Sequence, residues 1–162
     1  MRYIWLIRHG KSEAGDVGMS DHERKLNPRG ESDGQAMQAW LSAQPHAAEW
    51  VWSSSATRAQ ATAEYVADGF TAPINIAPEL YLSPPEVILD VLRATPPSIE
   101  SVAVVAHNPG LTYLTNLLAP ESVTDNLITF GTALFATEAD WPSLVTQHNH
   151  FISLHTPKTI DR

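Results

Sequence analysis

The sequence predicts an α/β fold: a mostly parallel sheet covered by helices on both faces. Two observations carry this expectation. Short runs of apolar β-formers, "YIWLI" at 3–7, "EWVWSS" at 49–54 and "SVAVVAH" at 101–107, alternate with longer stretches of helical period. Strands joined by helical crossovers run parallel, and their helices cover both faces of the sheet. No repeat, linker or low-complexity run divides the 162 residues, so a single domain over 1–162 is expected.

Residues 3–8 read as a buried strand, too short for a helix. Residues 9–26 are polar with three glycines and read as one long loop, a kind of segment that is usually functional. A helix then opens with Asn27 as its cap and Pro28 in its first position, and places Ala36, Met37, Trp40 and Leu41 on one face. After the second strand (49–54) comes a second helix, "SATRAQATAEYVADGF", with Ser55 as its cap and Gly69 as its stop. Residues 74–77 form a third short strand, and "SPPEVILDVLRA" a helix capped by Ser83. The strand at 101–107 is the cleanest buried run, and "NPGLTYLTNLLA" follows as a helix that again begins Asn-Pro. Residues 132–137 and 148–155 read as two further strands at an antiparallel edge.

Composition narrows the chemistry. The chain has no cysteine, which removes disulfides, thiolate metal sites and every cysteine-nucleophile mechanism. The apolar run at 3–7 is too short for a signal peptide and no stretch approaches a membrane span, so a cytoplasmic location is expected. Net charge is −8, yet seven of the ten Lys and Arg residues lie in 1–58, against seven acids there. Such a chain is a poor nucleic-acid binder but suits a local positive pocket that focuses a small anion.

In parallel sheets ligands sit beyond the carboxyl ends of the strands. Three strand ends deliver chemistry to that edge: Arg8-His9-Gly10 after the first, Arg58 in the first turn of the helix after the second, and His107-Asn108-Pro109-Gly110 after the fourth. Each has an ordinary structural explanation when taken alone. Together, four basic groups on one rim cost stability unless an anion binds among them. Phosphate fits, because guanidinium groups pair with phosphoryl oxygens and helix N-termini offer N–H donors. The two histidines add what a passive phosphate site does not need. A neutral imidazole is a nucleophile, and a second one can hydrogen-bond the transferring group, with cationic side chains supplying the charge that metal ions supply elsewhere.

The ordered motifs "LIRHG" (6–10), "SSSATRAQATAE" (53–64) and "AHNPGL" (106–111) resemble those of the histidine phosphatase superfamily. "DHERKLNPRG" (21–30) and "ELYLSPPEVI" (79–88) are most similar to the small SixA-type phosphohistidine phosphatases. The similarity runs over roughly 3–118. It implies a three-layer α/β/α sandwich of the phosphoglycerate mutase type. It also implies that His9 takes the phosphoryl group while Arg8, Arg58 and His107 bind its oxygens, without a metal or other cofactor. Ser12, Arg24 and Asn108 are further candidates for substrate contact, although each also has a local structural role open to it. The family commonly has Pro where Ser55 stands and Gly where Ala106 stands. The general acid is open among Asp21, Glu79, Glu23 and none, with Asp21 put forward as catalytic. His148 and His150 would share a strand face but have no third ligand partner in the sequence, so no metal site is expected.

The expected partner is a phosphorylated protein, for example a histidine-phosphotransfer domain, with neither nucleic acid nor membrane involved. A small-molecule phosphomonoesterase is the alternative within the class, and a non-catalytic phosphate-binding module the alternative outside it.

Overall fold

The computed structural model describes residues 1–160. Six strands and four α-helices follow in the order β1 (Arg2–Arg8), α1 (Pro28–Ser42), β2 (Trp50–Ser53), α2 (Thr57–Phe70), β3 (Ile74–Ile76), α3 (Pro85–Arg93), β4 (Ser101–Ala106), α4 (Gly110–Leu118), β5 (Thr132–Thr137) and β6 (His150–His155). They form one sheet in the spatial order β3-β2-β4-β1-β5-β6. The first four strands of that order run parallel, while β5 and β6 pair antiparallel at one edge. The three-layer α/β/α architecture and its antiparallel edge are therefore as the sequence predicts.

The strand β1 shows why the helices must lie on both faces. Successive side chains of a strand point to opposite faces, so Ile4 and Leu6 face one way and Trp5 and Ile7 the other. Ile4 and Leu6 pack in a core with Ile88, Leu92, Leu111 and Leu114 from α3 and α4. Trp5 and Ile7 pack in a second core with Met37, Leu41, Ala59 and Val66 from α1 and α2. Both sets are at most 1% exposed, which is why the run reads as continuously apolar rather than alternating.

Helix caps depart from expectation more than the helices do. Asn27 caps α1 as expected, its side-chain oxygen accepting from the Gly30 N–H at 2.8 Å. The cap of α2 is Ala56 rather than Ser55, and the Ala56 N–H instead donates to Ser54 Oγ at 3.2 Å. Nor does Gly69 stop α2: it lies inside the helix, which ends at Phe70 before Thr71 in the left-handed region. A Cβ on Gly69 would come within 2.9 Å of the Gln38 carbonyl oxygen, so this glycine is there for the close approach of α1 and α2. Likewise Ser83 does not cap α3; its hydroxyl donates to the Leu80 carbonyl, and Pro84 occupies the cap position. At the other edge β6 begins at His150, so His148 lies outside the strand that was expected to align the two histidines.

The start of α4 is fixed by close packing. An added Cβ on Gly110 would stand 2.3 Å from the Ser83 carbonyl oxygen, backbone that cannot give way without moving the start of α3. Gly110→Ala is expected to lower stability by about 1–3 kcal/mol through this overpacking, read as a reduced urea midpoint. An unchanged midpoint would show that the two helix starts move freely.

Candidate active site

The carboxyl ends of β1, β2 and β4 open onto a cavity of about 420 Å³. Arg8 and His9 enter it from the end of β1, Arg58 from the second residue of α2, and His107 from the residue after β4. The four residues singled out from three separate strand ends therefore meet. The His9 and His107 ring centroids are 5.1 Å apart.

The hydrogen bonding of His9 assigns its proton. Nδ1 lies 2.7 Å from the Gly10 carbonyl oxygen, which can only accept, so Nδ1 carries the hydrogen. That leaves Nε2 with a lone pair, facing the Arg58 Nε–H at 3.4 Å. Burial, and after it the Arg58 and Arg8 charges, push the His9 imidazole down to about 4 despite the upward pull of the Gly10 carbonyl. The ring is thus a neutral base with its free nitrogen among cations.

His107 is 2% exposed and is held through Nε2 by Ser54 Oγ at 2.8 Å. Its Nδ1 is buried without a protein partner. Burial first, then His9 and Arg58, push it down to about 3. Arg8 donates to the Leu127 carbonyl at 3.1 Å, and burial followed by the Arg58 charge lowers its pKa.

Arg58, 2% exposed, is held chiefly by Asp21. Nη1 donates to the Asp21 carbonyl oxygen at 2.8 Å and Nη2 to its carboxylate at 3.0 Å. The same carboxylate accepts from the Tyr81 hydroxyl at 2.5 Å and from Arg24 Nε and Nη2 at 3.0 and 2.8 Å. The Tyr81 hydrogen bond, with those from Arg24 and Arg58, holds the Asp21 carboxyl well below the usual carboxylate range. Asp21 consequently has no proton to give near neutral pH, unlike the acid role put forward from sequence. Glu79 lines a different cavity, with Trp52 and Asp90, and Glu23 accepts a hydrogen bond from Ser20 at an exposed site. Among the described residues that line the reaction cavity, Asp21 is the only carboxylate.

The remaining sequence candidates also reach the cavity but are occupied. Arg24 Nη1 donates to Ser12 Oγ and to the Glu13 carbonyl, both at 2.7 Å. Asn108 bonds the Leu127 carbonyl through its amide and accepts from the Thr112 N–H and hydroxyl, which ties the loop before β5 to the start of α4. Ser55, at the position where the family commonly has Pro, hydrogen-bonds His22 at 2.9 Å.

Sequence reasoning did not single out Tyr81, Ser54 or Thr62. The Thr62 hydroxyl accepts from the Gly10 N–H at 2.9 Å and donates to the Arg58 carbonyl at 2.8 Å, joining the end of β1 to the first turn of α2. Tyr81 and Ser54 fall inside the quoted motifs, but neither carries a charge that would draw notice.

The family model described as histidine phosphatase superfamily (branch 1) matches residues 4–81, which contain Arg8, His9 and Arg58 in order. Over those residues the chain is similar to the histidine phosphatase superfamily. That similarity supports a phosphatase, a hydrolase of phosphoryl groups. A Mycobacterium tuberculosis (strain H37Rv) protein is 29% identical over 161 residues, covering 94% of this chain and 100% of that protein. The structure of the protein histidine phosphatase SixA complexed with tungstate is 26% identical, covers 96% of this chain and 97% of that one, and superposes with a TM-score of 0.81. A candidate phosphohistidine phosphatase SixA from Nakamurella multipartitia, 23% identical with 96% of both chains covered, has the same fold at a TM-score of 0.86. No helix among the described residues is long and apolar enough to cross a membrane.

The pH dependence of the protein's stability follows from these two imidazoles. Unfolded, both bind a proton as pH falls below about 6.5; folded, they resist until about 4 and 3. The unfolded state therefore holds more protons across that window, and stability falls with falling pH. Imidazole NMR of the ligand-free protein is expected to show both rings titrating far below 6.5. Midpoints near the free-histidine value would contradict the assigned electrostatics.

Proposed function

We propose that this phosphatase hydrolyses phosphohistidine carried by a protein, through a phosphoryl intermediate on His9 Nε2. The observation that carries the reading is the state of Asp21: the cavity's carboxylate is tied to Arg24, Arg58 and Tyr81 and is kept ionised. Alkyl phosphates need a proton on the departing oxygen, which a positioned acid supplies at about 10²–10⁴-fold in rate. A phosphohistidine ring protonated from solvent on its other nitrogen leaves as neutral imidazole and needs no such acid.

In the first step the Nε2 lone pair of His9 attacks phosphorus, and the substrate P–N bond breaks with its electron pair returning to the substrate ring. Arg8, Arg58 and His107 stabilise the phosphoryl oxygens as charge shifts. His9 keeps its Nδ1 hydrogen on the Gly10 carbonyl throughout. The phosphorylated ring is therefore an imidazolium, stabilised by that carbonyl and primed to leave as a neutral ring. In the second step water attacks phosphorus, the P–Nε2 bond breaks with its electrons returning to His9, and the water proton passes to phosphate or solvent. Asp21 acts in this scheme by orienting Arg58, and Arg24 and Ser12 by holding the loop that carries Asp21. The SixA likeness and the openness of the cavity to a displayed side chain support a helical phosphotransfer domain as the substrate-bearing protein.

Incubation with a labelled phosphohistidine protein is expected to place acid-labile, base-stable label on the parent protein and none on His9→Ala. Equal labelling of the variant would remove His9 from the mechanism and favour simple phosphate binding. Asp21→Asn is expected to slow turnover of phosphohistidine and of an alkyl phosphate by the same factor, about 10- to 100-fold, because it loosens Arg58 for both. A loss confined to the alkyl phosphate would assign proton donation to Asp21 instead.

A further inference from the structure

A second cavity, of about 270 Å³, adjoins the reaction cavity and shares Arg8, Lys11 and Thr129 with it. Its remaining charges come from distant parts of the chain: Arg29 in the first turn of α1 and Lys158 after β6, against the single carboxylate of Asp33. Arg29 is already matched, its Nε donating to Asp33 at 3.0 Å. Lys11 and Lys158 form no ion pair with the described residues. Two ammonium groups without an ion pair beside a half-buried Arg8 give the recess a positive potential in a chain of net charge −8, which suits it to receive an anion.

We infer that this recess is a second anion subsite, built on Lys11, Arg29 and Lys158, that takes a carboxylate belonging to the same substrate whose phosphoryl group sits against Arg8. The inference rests on the phosphatase reading of the neighbouring cavity. Arg29 is offset by Asp33 and Arg8 serves the phosphoryl side, so two exposed ammonium charges remain, and the Asp33 carboxylate in the same lining repels a phosphate dianion more than a carboxylate monoanion. Ile128 and Pro157 give the recess an apolar side for the carbon atoms that carry the carboxylate. On a protein substrate the group is an acidic side chain close to the phosphohistidine; on a small substrate it is a carboxylate on the same molecule. Both lysines are exposed, so solvent screens them and the preference is modest.

Two matched substrate pairs test this: a phosphohistidine peptide flanked by Glu against the same peptide flanked by Gln, and 3-carboxyphenyl phosphate against phenyl phosphate. The readout is the ratio of kcat/KM within each pair, which cancels differences in folding and intrinsic activity. The parent is expected to favour the carboxylate member about three- to ten-fold at low salt, and Lys158→Gln and Arg29→Gln to bring the ratio towards one. Lys25→Gln removes an exposed positive charge that lines neither cavity and is expected to leave the ratio in place. A preference in the peptide pair assigns the carboxylate to a protein side chain, and one in the aryl pair alone to a small molecule; both support the subsite. A parent ratio of one in both pairs overturns it, as does a ratio that survives Lys158→Gln and Arg29→Gln or falls equally in Lys25→Gln. Turnover of the aryl phosphates with neither peptide hydrolysed overturns the protein-phosphohistidine reading instead, while the aryl ratio still decides the subsite.

Discussion

The site depends on keeping the Arg58 guanidinium charged while it is almost wholly shielded from water. A buried cation costs several kcal/mol unless partners replace its hydration. Asp21 does so twice, through its backbone carbonyl and its carboxylate, and Tyr81 and Arg24 fix that carboxylate in turn. The neutralisation is incomplete, because Arg8 and two imidazoles share the same space. Burial first, and the Arg58 charge after it, drive the histidines and Arg8 towards their neutral forms, while the Tyr81 hydrogen bond, with those from Arg24 and Arg58, drives Asp21 towards its charged one. The share of each shift that comes from the Arg58 charge has the sign of a positive local potential, which an anion entering the cavity relieves.

The sheet makes this possible by bringing chemistry from distant positions to one rim. β1 pairs with β4 in parallel, with Arg8 opposite Ala106, so His9 and His107 lie just beyond the same line of hydrogen bonds. β2 pairs with the other side of β4 and hands the chain to α2 within a few residues, which places Arg58 beside them. The Thr62 hydroxyl then links the Gly10 N–H to the Arg58 carbonyl. The loop after His9 and the helix of Arg58 are joined by two hydrogen bonds through one side chain rather than by sequence proximity.

Much of this was legible in the sequence because strand cores announce themselves as unbroken apolar runs and the strand-to-helix order fixes where their ends go. Arg8, His9, Arg58 and His107 could be placed on one edge from topology alone. Three punctuating residues were misread for a common reason. Ser55, Ser83 and Gly69 have the local character of helix ends, but their positions answer to His22, the Leu80 carbonyl and the backbone of α1 respectively. Asp21 was visible as a carboxylate near His9, while the hydrogen bond that most lowers its pKa was not, since it comes from Tyr81 sixty positions away. The second basic recess was hidden for the same reason: Lys11, Arg29 and Lys158 meet only once the chain after β6 folds back beside the start of α1.

The His9 ring is held in its reactive tautomer by the peptide oxygen of the next residue, not by a carboxylate or hydroxyl from elsewhere in the fold. Enzymes that orient a catalytic histidine with an acidic side chain can lose that orientation by a single replacement. Here no replacement of a side chain deletes the orienting group, since every residue at position 10 brings its own carbonyl. Genetic variation can therefore alter the basicity of His9, by changing the charges around it, far more readily than it can alter which of its nitrogens bears the lone pair.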